Sequence, residues 1–319
     1  MEDYPTSLPE FEVRFASQED CLRYLAQQRW PKGFVCPNCS GRDSWMTSRG
    51  LWHCQACGRQ TSVTAGTVLH GVRSPLTLWF RAMWHITSQK YGANALGLQR
   101  VLGLGSYQTA WEWLHKLRRA MVRPGRDRLS GAVQVDETYI GGKKPGKRGR
   151  GAEGKVIVGI AVEDKELEGI GRIRLEVLPD VSSTSLESFI KQWITPGSTV
   201  TTDGWKSYGG ISAQGYQHAV CDDPKELPLP HLVASLLKRW MLGTYQGAIR
   251  RGCLPYYLDE FTFRFNRRTS ASRGKLFFRL VQHLLNVDPV PRPSLVGLCK
   301  GDDEDEFDSD EKKVPDHNI

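Results

Sequence analysis

Two short cysteine pairs constrain this chain more than any other feature. CPNC supplies Cys36 and Cys39, CQAC supplies Cys54 and Cys57, and fourteen residues separate the pairs. Each pair can sit in a tight turn that points two thiolates at one ion, and the intervening segment has room for a short hairpin. The expectation is a tetrahedral structural Zn²⁺ site of the ribbon type. With few apolar residues between the pairs, such a unit depends on its metal for much of its stability. A thioredoxin-like redox pair or a set of disulfides fits poorly, because two such pairs in a reduced compartment read as metal ligands. Cys21, Cys221, Cys253 and Cys299 lack the spacing and are expected to be packed thiols. Arg42, Arg49 and Arg59, with Trp45 and Trp52, either touch phosphates or cover the hairpin.

The remainder of the 319 residues is long enough for two or three units with their own cores. No apolar run suits a membrane span, and the start MEDYPTSLPEFEV lacks the features of a signal peptide, so a cytoplasmic, nucleoid-associated bacterial protein is expected. The formal charge is +8, yet residues 300–319 hold nine acidic and three basic side chains, which leaves residues 1–299 at +14. An excess of that size makes a polyanion the first partner to consider, since neutralised phosphates release counterions. The tail itself, GDDEDEFDSDEKK, has the composition of a disordered segment.

From Ser74 the pattern turns helical. SPLTLWFRAMWHITSQ places Pro75 in the first turn and a heavily aromatic face behind it, NALGLQRVLGLG gives a shorter helix ended by glycine, and SYQTAWEWLHKLRRAM starts at a Ser106 cap. Two helices with a short glycine-containing turn resemble a helix-turn-helix, whose second helix would lie in a major groove of double-stranded DNA. Tyr107 and Gln108 at its first turn, and Lys116, Arg118 and Arg119 toward its end, are the candidate DNA contacts. A plain three-helix bundle with a solvated basic face is the alternative.

Past a basic linker the character changes again. AVQVDETYIG alternates as a strand on which Gln134, Asp136, Thr138 and Ile140 share one face, while Val135, Glu137 and Tyr139 share the other. Asp136 and Glu137 therefore point apart. KVIVGIAVE and GRIRLEVLP add two strands, SLESFIKQWI a helix, STVTTDG a short strand ending in Asp203, and YQHAV a fifth strand. This order describes an α/β unit with a mixed sheet covered by helices. Between the first two strands, Lys143, Lys144, Lys147, Arg148 and Arg150 form a basic loop expected to grip DNA.

LPLPHLVASLLKRW then enters a helix through two prolines. At 100° per residue His231 and Lys238 differ by about 700°, close to two full turns, so they share a polar stripe opposite Val233, Leu236, Leu237 and Trp240.

Asp136 on a first strand, Asp203 ending a fourth, and a polar residue seven ahead of a lysine form the pattern of RNase H-like DDE transposases. More closely, residues 17 to 290 resemble the zinc-ribbon insertion-sequence transposases related to the Merlin DNA transposons. The stretches that carry the resemblance are RWPKGFVCPNC, CQAC, TSVTAGT, VQVDETYIGGK, VTTDGWKSY, LLKRWMLGTYQG and YLDEFTFRFNRR. It implies an RNase H-like mixed sheet with flanking helices, preceded by a zinc ribbon and a helix-turn-helix. The implied division is a helical lead-in at 1–33, the ribbon at 34–66, the helix-turn-helix at 74–122, the catalytic unit at 130–290 and the acidic tail at 300–319.

The activity it implies is that of a DNA transposase, which binds terminal inverted repeats, cleaves the element ends and transfers the freed strands to target DNA. Two Mg²⁺ or Mn²⁺ ions, about 4 Å apart, would serve the two ends of an in-line displacement. Asp136, Asp203 and His231 would hold them and Lys238 would meet a phosphate. His231 departs from the general pattern, in which this ligand is Glu. Imidazole is softer and uncharged, so weaker binding at one ion, tolerance of Mn²⁺ and an acid limit to activity follow. Asp222, Asp223 and Glu226 just upstream are rival ligands. Processing two ends implies a homodimer or larger assembly. The other function classes to separate are a non-catalytic DNA-binding regulator and a nuclease of the same fold without strand transfer.

Overall fold

A computed structural model describes residues 2–123, 125–141, 155–166, 169–221, 227–247 and 249–300, with the backbone alone at 298 and 300. Lys143, Lys144, Lys147, Arg148 and Arg150, the rival ligands Asp222, Asp223 and Glu226, and the acidic tail beyond 300 lie outside the described residues.

The cysteine region forms three antiparallel strands, β1 (Ser44–Met46), β2 (Leu51–Cys54) and β3 (Gln60–Ser62). Its small core is Phe34, Cys36 and Cys54, closed by Trp30 and Trp52. So few apolar groups bury little area, which is why the sulfurs matter to this unit.

The larger sheet contains β4 (Ala132–Ile140), β5 (Val156–Asp164), β6 (Ile170–Leu178), β7 (Thr199–Asp203) and β8 (Gln217–Cys221). Their order across the sheet is β6-β5-β4-β7-β8, antiparallel from β6 to β4 and parallel from β4 to β8. This is the mixed, RNase H-like arrangement expected of the sequence. β5 reads as a nearly continuous apolar run because helices cover both its faces. Val158, Ile160 and Val162 pack toward α7 (Pro228–Tyr245) and α8 (Leu254–Phe265), whereas Ala161 packs toward α6 (Ser183–Trp193).

The other helices make a second body: α1 (Leu8–Arg14), α2 (Gln18–Arg29), α3 (Leu76–Ser88), α4 (Ala95–Leu102) and α5 (Tyr107–Arg119). α4 ends on Gly103 in the left-handed conformation, and Ser106 caps α5 by accepting from the Thr109 N–H, as the sequence pattern anticipates. Two differences from the expected division emerge. α1 and α2 contribute Phe11, Phe15, Tyr24 and Leu25 to the same core as α3 to α5, so residues 1–33 are more than a lead-in. α9 (Arg273–Leu284), placed by sequence at the end of the catalytic unit, lies in this helical core too, where Phe277 meets Phe11, Phe80 and Trp84. A side chain at Gly274 would collide with the Pro5 carbonyl, so the N-terminal segment crosses directly over the start of α9.

α10 (Arg292–Lys300) packs beside the 3-10 turn Arg251–Cys253, and Cys253 and Cys299 form a disulfide with their Cα atoms 4.5 Å apart. The expectation of packed free thiols fails for this pair because 46 residues of sequence separation conceal their proximity. Cys21 is a buried free thiol, and Cys221 is partly buried. Among the described residues no helix is long and apolar enough to cross a membrane.

Candidate active site and metal centre

Strand register brings the two aspartates together. β4 and β7 are parallel with Ala132 opposite Thr199 and Gln134 opposite Thr201. Carried two residues further, that register sets Asp136 level with Asp203, and residues paired across parallel strands show their side chains on one face. Asp136 lies opposite Ile160 on the antiparallel side, and Ile160 packs toward α7, so the acids face α7. The first two turns of that helix arrive over β4, with His231 Nδ1 3.8 Å from Asp136 Oδ2.

Residues that the sequence reading passed over hold this geometry. Glu137 points to the other face, as its position in the alternation requires, and accepts a 3.0 Å hydrogen bond from the Tyr208 hydroxyl in the core beneath α6. Tyr208 belongs to the turn after Asp203, so this bond ties the strand of one aspartate to the turn beyond the other. Asp203 Oδ1 accepts from the Trp205 N–H and Asp136 Oδ1 from the Glu137 N–H, each fixing one carboxylate oxygen. Gln134 Oε1 accepts from the Leu229 N–H, which anchors the entry of α7 two residues before His231. The signal was present in sequence, since Gln134 shares the Asp136 face, but a neutral amide on a strand does not announce a tether.

Asp136 sits in an unfavourable field for a carboxylate. Burial, followed by the Glu137 charge, pushes its pKa up to about 6; the Glu137 N–H and His231 oppose this, and Asp203 adds to it. Lys238, two turns after His231 on the exposed side of α7, is held below the usual lysine range by partial burial and Lys155, with Asp136 acting the other way. A raised acid beside a second acid is a donor set that a divalent cation would relieve. The three prospective ligand atoms of Asp136, Asp203 and His231 are not gathered within 4.8 Å of one another, in contrast to the cysteines.

In the ribbon the four sulfurs do come within 4.8 Å of each other. Cys36 to Cys57 and Cys39 to Cys54 are each 3.6 Å, close to the roughly 3.8 Å edge of a tetrahedron with Zn–S bonds of about 2.3 Å. The two turns match: the Cys36 N–H donates to the Gly41 carbonyl and the Cys54 N–H to the Arg59 carbonyl, both at 2.9 Å. A Cβ at Gly41 would lie 3.3 Å from both Cys39 Sγ and Cys54 Sγ, so glycine there leaves the sulfurs their space. These residues fit a zinc ion and would hold it with all four thiolates.

Comparison with known proteins gives the same two parts. Residues 128–266 match the ISXO2-like transposase domain, and residues 16–60 match the transposase zinc-ribbon domain. The two matches fall on the ribbon and on the sheet unit with α7 and α8, and make those segments similar to the two transposase domains. A relative from Halobacterium salinarum, described as an uncharacterized protein in transposable element ISH50, is 27% identical over 281 residues, spanning 78% of this chain and 91% of its own. Solved structures with local likeness include the catalytic core domain of BIV integrase (17% identity, 46% of this chain and 89% of that one, TM-score 0.32). The Mos1 strand transfer complex is another (13% identity, 65% and 75%, TM-score 0.27).

The expected DNA contacts are only partly where a groove could reach them. Tyr107 and Gln108 are exposed at the first turn of α5. Arg118 is not available: it is 1% exposed, donates to Glu260 Oε2 at 2.8 Å and lies 4.2 Å from the Tyr257 ring centre. Lys116 is bound to Glu112 at 2.8 Å with 13% of its side chain exposed, and Arg119 is half-buried with its Nε enclosed. The physical reason is that α5 is packed against α8 and α10, so its later turns are interior. Basic residues at a helix end were read as a charged face, whereas Arg118 has its partner 142 residues away.

Proposed function

We propose that this chain is a DNA transposase that binds the terminal inverted repeats of an insertion sequence, cleaves the element ends and joins them to target DNA. The observation that carries the reading is the parallel pairing of Gln134 with Thr201, two residues short of Asp136 and Asp203, with the Asp203 charge felt at Asp136 and His231 of α7 3.8 Å from it. Asp136, Asp203 and His231 are the residues that would hold Mg²⁺ or Mn²⁺. Such ions, when bound, polarise a phosphoryl oxygen and lower the pKa of an attacking water or 3′-hydroxyl.

The chain's own contribution is orientation and charge. Gln134 fixes where α7 begins, the Glu137–Tyr208 bond fixes β4 against the turn after β7, and Lys238 meets a DNA phosphate from the same stripe as His231. Tyr107, Gln108 and the basic loop from Lys143 to Arg150 hold the duplex, and two copies of the chain bring two ends together. The ribbon, loaded with zinc, is a rigid part of the DNA-binding half.

The test is incubation of the protein with labelled repeat-end duplex and Mg²⁺ or Mn²⁺. Nicked ends and joined products are expected from the wild type, and neither from Asp136→Asn or Asp203→Asn. Binding without nicking would favour a regulator, nicking without joining a nuclease. His231→Ala protein that cleaves at the wild-type rate would remove His231 from the site.

A further inference from the structure

Between the end of α5, the outer strand β6, α8 and α9 lies a pocket of about 450 Å³ that the proposed reaction does not use. Its lining includes Arg126, Arg172, Arg174, Arg267, Arg279 and His283. Some of these arginines have acidic partners: Arg172 is bound to Glu163, Arg279 to Glu2, and Arg126, stacked on Trp193 at 4.1 Å, feels Asp259 and Glu176. Arg123 on the rim pairs with Asp127. Arg174 and Arg267 have only main-chain carbonyls, those of Ile173 and Asp127 for the first and of Phe263 for the second.

Three nitrogens in this lining are buried with no partner at all: Nε of Arg126, Nε of Arg174 and Nδ1 of His283. Arg174 is only 4% exposed. Enclosed, unpaired guanidinium nitrogens are costly unless something negative completes them. Burial, followed by the neighbouring Arg126 and Arg172, draws Arg174 down to about 10, and burial with Arg279 and Arg123 does the same to Arg267. Asp127, which also lines the pocket, and Glu163 act the other way on Arg174, yet among the described residues no carboxylate is bonded to Arg174 or Arg267. We propose that this pocket is an anion site built for a phosphate group, which the guanidinium forks of Arg174 and Arg267 would grip by paired N–H donation.

The site is separate from the proposed catalytic face. Arg174 lies opposite Ala161, which packs toward α6, while Asp136 lies opposite Ile160, which packs toward α7. A phosphate held here is therefore not the one being cut. It could come from a DNA backbone away from the scissile bond, a source that rests on the transposase reading, or from a free polyphosphate, which does not.

Thermal unfolding of the full-length protein with pyrophosphate, against sodium chloride at equal ionic strength, tests the site. Pyrophosphate should raise the wild-type midpoint, and Arg174→Met and Arg267→Gln should lose that rise while unfolding, anion-free, at or above the wild-type midpoint. Arg279→Gln at the more exposed rim should weaken the rise if the buried variants do not fold. Salt-titrated binding of a duplex lacking element sequence distinguishes the sources. A slope of log K against log salt shallower by about one per phosphate lost assigns the pocket to DNA, and an unchanged slope assigns it to free polyphosphate. Pyrophosphate no better than chloride, with equal DNA slopes for all proteins, would overturn the proposal. End cleavage by the same preparations is read independently, so loss of either result leaves the other standing.

Discussion

At the scale of single residues, Asp136 shows how a buried carboxylate can cost stability. Its folded pKa of about 6 stands above the ordinary 3.8, so the folded protein binds a proton more tightly than the unfolded chain does. Stability from this group is therefore full at low pH and declines as pH rises from about 4 through about 6. In metal-free buffer at pH 7.5, Asp136→Asn should be more stable than wild type by roughly 1–3 kcal/mol, as read by urea unfolding. Adding Mg²⁺ should raise the wild-type midpoint and leave the Asn variant unmoved; equal responses would show that Asp136 holds no ion. His231→Glu supplies the missing negative charge, and end cleavage by that variant should shift in preference from Mn²⁺ toward Mg²⁺.

At the scale of elements, α7 depends on β4 for its entry. Gln134→Leu removes the acceptor of the Leu229 N–H but keeps the side-chain volume close. The expected result is a stability loss of about 1 kcal/mol with a larger, roughly tenfold or greater, fall in cleavage rate at unchanged DNA affinity. This element was readable from sequence because its determinants are local: prolines at the start, an apolar stripe, and His231 and Lys238 two turns apart. The strands were readable for the same reason, and β4 spans Ala132–Ile140 where alternation places it. What sequence does not show is the partner of a polar group across many residues. Glu137 with Tyr208, Arg118 with Glu260 and Cys253 with Cys299 are all of this kind: the first pair was passed over, Arg118 was read as a DNA contact, and the cysteines as packed thiols. Neutral or charged side chains carry no mark of a distant mate, whereas the paired cysteines of the ribbon do, because their spacing is itself the chemistry.

At the scale of the whole molecule, the sheet unit and the helical body are joined through buried charge. Glu260 on α8 receives Arg118 from α5 and Arg264 from its own helix, with the Tyr245 hydroxyl of α7 3.2 Å away. Arg264 also donates to the carbonyls of Ile86 and Gln89 at the end of α3, and Trp240 Nε1 to that of Tyr91. Two of the stretches that resemble the transposases, LLKRWMLGTYQG and YLDEFTFRFNRR, are thus largely the clasp between the halves. Glu260→Ala would strand two arginines, one of them fully enclosed, and should cost about 3–5 kcal/mol in denaturant unfolding. A loss under 1 kcal/mol would mean the halves are held together elsewhere. Reduction of Cys253–Cys299, which closes a loop of 46 residues, should lower the unfolding midpoint by the equivalent of roughly 2–4 kcal/mol, and Cys299→Ser should reproduce the reduced value. The placement of α9 carries a consequence for synthesis. The helical body begins at α1 but lacks the Phe277 layer of its core until residue 284 has left the ribosome, after all five strands of the larger sheet are made. The helical half thus starts before the sheet and waits for its strands to be made, and a fragment ending at residue 122 should remain a loosely packed chain.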